Sequence, residues 1–195
     1  QCAIGVWLDL HCMRRSNGMV IGKKSFRLCG QRSIAFLVLL IASSAVAETR
    51  VGSWELREEH SELDGNRSVS AVVHSEKQIV NSIGLPENAA LAVVCSDNEA
   101  RVVVDFRNFM GSDQVFIRYR FDSGPVEDDR VSVSADGQYF GWRGGSAKAL
   151  IGAMSGKKRV VIAAPPYGKK EAEASFDIGG IDDVIFRIAA ACRWS

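Results

Sequence analysis

Trp54–Ser75 reads WELREEHSELDGNRSVSAVVHS, and the alternation of its apolar residues decides the fold class of the chain. Two runs, Trp54–Glu62 and Arg67–Ser75, flank Leu63-Asp64-Gly65-Asn66. Asp-Gly at the centre suits a type I′ hairpin turn, whose two central residues need positive φ. In that register Trp54 and Leu56 share a face with Val69, Ala71 and Val73, while Glu55, Arg57, Glu59, Ser68 and Ser70 take the other. One buried face and one wet face is the pattern of an antiparallel sheet laid over a core.

The same period of two recurs downstream. Ala89–Ser96 and Ala100–Arg107 pair around Asp97-Asn98-Glu99, after a linker at Leu85-Pro86-Glu87-Asn88. In Gln114–Phe121, Val115, Ile117, Tyr119 and Phe121 face in, and Arg118 and Arg120 face out. Arg130–Ala135 and Gln138–Arg143 form a hairpin at Asp136-Gly137, and Arg159–Ala164 and Glu171–Ile178 bracket Pro165-Pro166-Tyr167-Gly168. Two short helices interrupt the strands. Ser146 is placed to cap the first, with Ala147, Leu150, Ile151 and Met154 on one stripe before Gly156. The second begins near Gly180, with Asp182 and Asp183 at its positive end and Ile181, Ile185, Ile188 and Cys192 on one face. About eight short strands with frequent turns predict a mostly β chain, a compact β-sandwich-like single domain with two short helices, one at the C-terminus.

Ahead of these strands, Ile34–Ala47 reads IAFLVLLIASSAVA and is followed by Glu48. An apolar core of roughly a dozen residues is short for a bilayer of ~30 Å. Lys23, Lys24, Arg27 and Arg32 precede it, and Ala45 and Ala47 close it. These are the three parts of a secretory signal. Residues 1–47 are therefore expected to be an n-region and a cleaved signal peptide, and 48–195 an exported β-rich domain, periplasmic or secreted. Initiation at Met19 would give a leader of ordinary length, and residues 1–18 then read as an overextended frame or as a long n-region. An uncleaved anchor is the competing reading of the apolar run. No Cys follows the run, so no lipid anchor is expected, and no stable membrane anchor after cleavage.

Six basic residues and one acidic residue fall in 1–47, which leaves 18 basic and 22 acidic residues in the rest. A mildly acidic domain argues against nucleic acid, which is bound by clustered positive charge. Of five cysteines only Cys95 and Cys192 lie beyond the leader. In an oxidising compartment an even pair reads as a disulfide, with two buried thiols as the alternative.

No constellation of residues composes an active site. In the hairpin register His60 and His74 lie on opposite faces and cannot share a metal ion, unless the register slips by one. Asp122, Glu127, Asp128 and Asp129 carry calcium-type oxygens without the spacing of a calcium loop. Ser155-Gly156-Lys157-Lys158 and Ser96-Asp97-Asn98 echo β-lactamase motifs in reversed order and without the third. No catalytic residue, metal or cofactor is assigned. Lys157-Lys158-Arg159, with Lys169-Lys170, reads either as a contact for anionic lipid or an acidic partner or, more simply, as charged strand ends that discourage edge pairing. Trp142, among Gly141, Gly144 and Gly145, is read either as a contact residue or as core, and Trp142 with Arg118 and Arg120 makes the candidate contact surface.

Tyr119-Arg120-Phe121-Asp122, Phe176-Asp177-Ile178-Gly179-Gly180-Ile181 and Ala190-Ala191-Cys192-Arg193-Trp194 together resemble the VasI-like family of type VI secretion-associated proteins. Trp54 and Ser61-Glu62-Leu63-Asp64-Gly65 fit its opening more loosely, and Gly179 and Arg193 depart from its pattern. The resemblance implies an envelope accessory protein with no established catalytic centre, and its shared residues look like fold determinants. The expected role is non-catalytic binding of an envelope protein or cell-surface component. The alternatives are an envelope-polymer hydrolase and an inhibitor or immunity-like protein, the latter needing a protruding loop at Phe109–Asp113 or Gly124–Arg130.

Overall fold

Alternation along the strands sets the architecture, because one face of every strand must leave water. The computed structural model describes residues 49–192 apart from Asp64 and Asn66. The expected signal region, Asp64 and Asn66 of the first turn, and Arg193-Trp194 thus lie outside the described residues. The strands are β1 Thr49–Val51, β2 Trp54–His60, β3 Arg67–Val80, β4 Pro86–Ser96, β5 Glu99–Asp105, β6 Gln114–Phe121, β7 Glu127–Val133, β8 Tyr139–Arg143, β9 Arg159–Ala164 and β10 Ala172–Asp177. Helix α1, Gly144–Met154, follows β8, and α2, Ile181–Ala191, ends the fold.

The expected sandwich is instead a closed barrel. Eight strands run β3-β10-β9-β6-β7-β8-β5-β4, and β4 pairs back onto β3. Closure depends on the length of β3, which spans 14 residues. Its first half holds β2 on one edge, its second half meets β10 at Ser75↔Phe176, and its other edge carries β4 throughout. A bulge between His74 and Gln78 bends β3 where it changes partner. Ser75 pins that bulge, its Oγ donating to the Lys77 carbonyl at 2.7 Å and accepting from the Ala89 amide at 2.9 Å.

The first hairpin keeps its expected faces but not its turn. His60 pairs with Arg67, so the connection is longer than two residues and Leu56 lies opposite Ala71. A shift of two residues preserves the side-chain face. Trp54, Leu56, Val69, Ala71 and Val73 are all buried. Between β4 and β5 a true two-residue turn forms, with Asp97 and Asn98 at φ 52° and 59°.

Both helices add their apolar stripes to the same core. Ala147, Leu150, Ile151 and Met154 of α1 are buried as expected, although the helix begins at Gly144. Ser146 therefore caps nothing, and its hydroxyl donates to the Arg143 carbonyl at 2.9 Å. Helix α2 buries Ile181, Val184 and Ile188, and Cys192 is joined to Cys95 with Cα atoms 5.7 Å apart. Cys95 pairs with Val69, which puts the disulfide at the start of β3, far along the strand from Val80.

Gly141 is needed where β8 meets β5. A Cβ there would stand 1.9 Å from the Val102 carbonyl oxygen, a backbone atom that cannot swing aside. Gly141→Ala should force the two strands apart and cost at least ~2 kcal/mol. The expected readout is a lower urea midpoint with an unchanged slope, and an unaltered midpoint would refute the close approach.

Candidate functional site

β8 alternates Phe140 and Trp142 inward with Tyr139, Gly141 and Arg143 outward. Trp142 is only 5% exposed, so of its two sequence readings core packing is the one found, and the contact surface loses its aromatic member. Its indole Nε1 donates to Asp129 Oδ2 at 2.7 Å and its ring meets Tyr119 edge-on at 5.9 Å. Arg118 and Arg120 do face out, lining a shallow depression of about 190 Å³ with Val126, Val161 and Glu173. Arg118 is engaged by Glu171, whose hydrogen bonds first, and then its charge, raise the guanidinium's pKa further. The sheet thus separates Trp142 from the two arginines, and the three do not make one surface.

The acidic loop does not converge either. Asp122 accepts the Lys158 and Arg159 amides at 3.1 and 3.0 Å, Asp129 takes Trp142, and Glu127 takes the Tyr119 hydroxyl at 2.9 Å. Gly124–Arg130 is no protruding loop, since Glu127–Arg130 belongs to β7. Among the described residues no group of three or more His, Cys, Asp or Glu is placed to hold a metal ion. His74 is exposed on the outer face. His60 stands in an open depression of about 270 Å³ with Glu59, Arg67 and Asp97.

Tyr119 carries a testable consequence. Burial first, and then the hydrogen bond to Glu127, push its phenol from 10.0 up to about 12. An unfolded chain would lose that proton near pH 10 and the folded one near 12, so the contribution is whole below 10 and lost as pH rises through 12. Melting temperature should fall over this window, and Tyr119→Phe should flatten that part of the fall. An identical slope in the variant would contradict the assignment.

The strongest surface feature lies at the end of the barrel reached by the second half of β3. Three loops meet there. Asn81 and Asn108, both buried, hold them from beneath. Asn108 Nδ2 donates to the Val80 carbonyl at 2.9 Å and to the Phe106 carbonyl at 2.8 Å. The Lys169 ammonium donates to Asn108 Oδ1 at 2.8 Å and to the Asn81 carbonyl at 3.3 Å. The Tyr167 amide donates to the Phe109 carbonyl at 2.9 Å, and the two rings pack edge-on at 5.8 Å. Phe109 in turn lies over Gly137, where a Cβ would come within 2.1 Å of its ring.

This polar scaffold holds apolar side chains out in solvent. Val80, Ile83, Leu85, Phe109 and Tyr167 are between 44% and 76% exposed. Large apolar groups gathered on one exposed surface mark an interaction site. Sequence reading placed Leu85 in a linker and Tyr167 in a turn, and offered only Phe109 as part of a possible contact loop. The signal that could have found the rest is a large apolar residue within two positions of Gly or Pro in each of three connections, Ile83-Gly84-Leu85-Pro86, Phe109-Met110-Gly111 and Pro166-Tyr167-Gly168.

No family model and no curated protein matches the chain, so the VasI-like resemblance stands on its quoted residues alone. In structure the chain is similar to invasion associated protein B from Bartonella henselae. The two share 13% identity at a TM-score of 0.51, over 75% of this chain and 99% of that one. At that identity the likeness shows the fold alone. It supports the barrel, and the site must be argued from this chain's own residues.

Proposed function

We propose that the protein is an exported accessory protein of the cell envelope, periplasmic or secreted, that acts by binding through its apolar barrel end. The carrying observation is the set of five large apolar side chains held outward by the buried Asn81 and Asn108 together with the exposed Lys169. Fixing such groups by internal hydrogen bonds removes the ordering cost that flexible loops would pay on meeting a partner. The barrel interior is filled by packed side chains such as Phe106, Phe140, Ile117 and Ile162, which leaves recognition to the surface. The Cys95–Cys192 disulfide fits an oxidising compartment. No helix among the described residues is long and apolar enough to cross a membrane. The VasI-like resemblance would put the partner in a secretion-associated envelope assembly.

One observation favours a second reading, an envelope-polymer hydrolase: His60 shares its depression with Glu59 and Asp97. Both readings meet in one experiment. Immobilised native protein and the Ile83→Asp/Leu85→Asp variant are exposed to envelope extract, and both are assayed for polymer degradation. Capture by the native form and loss in the variant support binding. Degradation that is abolished by His60→Ala but untouched by the loop variant would replace this reading with the hydrolase.

A further inference from the structure

We propose that the occupant of the barrel end is a lipid bilayer, with Ile83, Leu85, Phe109 and Tyr167 seated at the boundary between headgroups and acyl chains. This rests on the binding reading above and names its partner.

The backbone of the Asn81–Pro86 loop carries the proposal furthest. The Asn81 amide donates to the Leu85 carbonyl at 2.8 Å, Ser82 to the Arg107 carbonyl at 3.0 Å and Gly84 to the Asn81 carbonyl at 3.2 Å. The Ile83 and Leu85 amides both donate to Asn81 Oδ1, at 3.0 and 2.9 Å. Residue 86 is proline and has no N–H. Every amide of the loop is thus satisfied from within the protein. An exposed loop in water does not need this, whereas entry into a medium without hydrogen-bond partners requires it. One side chain, Asn81, accepts two of these five amides while staying buried itself.

Shape and charge point the same way. The apolar groups stand on loop tips, so a rigid partner would need a matching cavity while a bilayer deforms around them. Aliphatic Ile83 and Leu85 sit with two rings, and Tyr167 adds a hydroxyl, the mixture favoured at the membrane interface. Of the carboxylates at this end, Asp105 and Glu87 pair with Arg107 at 2.8 and 3.3 Å, while Asp136 accepts only from the Ser134 hydroxyl and the Gln138 amide. Lys77 and Lys170 have no carboxylate partner among the described residues. Lys170, three residues from Tyr167, thus offers an ammonium group to anionic headgroups.

The test is co-sedimentation of the exported protein with vesicles of phosphatidylcholine, with and without phosphatidylglycerol. Native protein should sediment with both and more with the anionic mixture. Ile83→Asp/Leu85→Asp should weaken this by ~10-fold or more, while Phe186→Asp, an equally exposed change on α2, should leave it unaltered. Matching melting curves establish that the variants are folded. No sedimentation of native protein, or equal sedimentation of the loop variant, overturns the proposal. A native dimer that the loop variant converts to monomer overturns it in favour of self-association. If vesicles fail but a photo-crosslinker at Ile83 captures an envelope protein, the lipid inference falls and the binding reading stands. If both fail, both fall.

Discussion

Reduction of the Cys95–Cys192 bond, or its replacement by alanine at both positions, should lower the unfolding free energy by ~4–5 kcal/mol. The bond spans a sequence separation of 97, nearly the whole of the described domain after β3. Cross-linking so long a loop removes much of the freedom of the unfolded chain, and the loss grows with the logarithm of loop length. Both cysteines are buried, so the bond also holds the end of α2 against β4 without exposing polar groups. A domain of ordinary net stability, ~5–15 kcal/mol, would be left marginal. Urea unfolding of oxidised and reduced protein reads the difference directly. A midpoint shift of less than about 1 kcal/mol equivalent would mean that the sheet and α2 hold this end unaided. The same comparison bears on export, because a chain so dependent on one bond is poorly suited to a reducing compartment.

Trp54→Ala should cost ~3–5 kcal/mol, whereas Trp54→Phe should cost far less. Trp54 is fully buried at the start of β2 and contacts the same core as α2 and β3. Truncation to alanine removes an indole and leaves a cavity that the surrounding sheet cannot close. The indole N–H, however, has no acceptor among the described residues. An unsatisfied buried donor carries a penalty of ~1–3 kcal/mol, which phenylalanine would relieve while keeping most of the ring volume. The two variants together separate packing from polarity. Equal losses in both would show that the N–H is in fact satisfied and that the account of this corner of the core is wrong.

Much of this fold was readable because β-strands write their burial into sequence every second residue. Gln114–Phe121 has the predicted faces, as does the first hairpin despite its longer turn. Closure was not readable. The pairs that make a barrel, β5 with β8, β6 with β9 and β3 with β10, join segments far apart in sequence, and alternation is the same in a sandwich. Trp142 illustrates a misweighted signal, since the period of two already grouped it with Phe140, and its glycine neighbours suggested exposure that only Gly141's close approach to Val102 explains. The barrel end was hidden for a different reason. Ile83, Phe109 and Tyr167 lie in three separate connections, brought together by long-range contacts such as the Asn108 bond to Val80, the Lys169 bonds to Asn81 and Asn108, and the Tyr167 amide bond to Phe109.

The most direct test of the binding account is photo-crosslinking in envelope preparations, with the reactive side chain placed at Ile83 in one protein and at Phe186 in another. Both positions are exposed and apolar, but only Ile83 belongs to the proposed contact surface. The account predicts adducts, to lipid or to protein, from position 83 and few or none from 186. Equal labelling from both positions, or labelling from 186 alone, would contradict it.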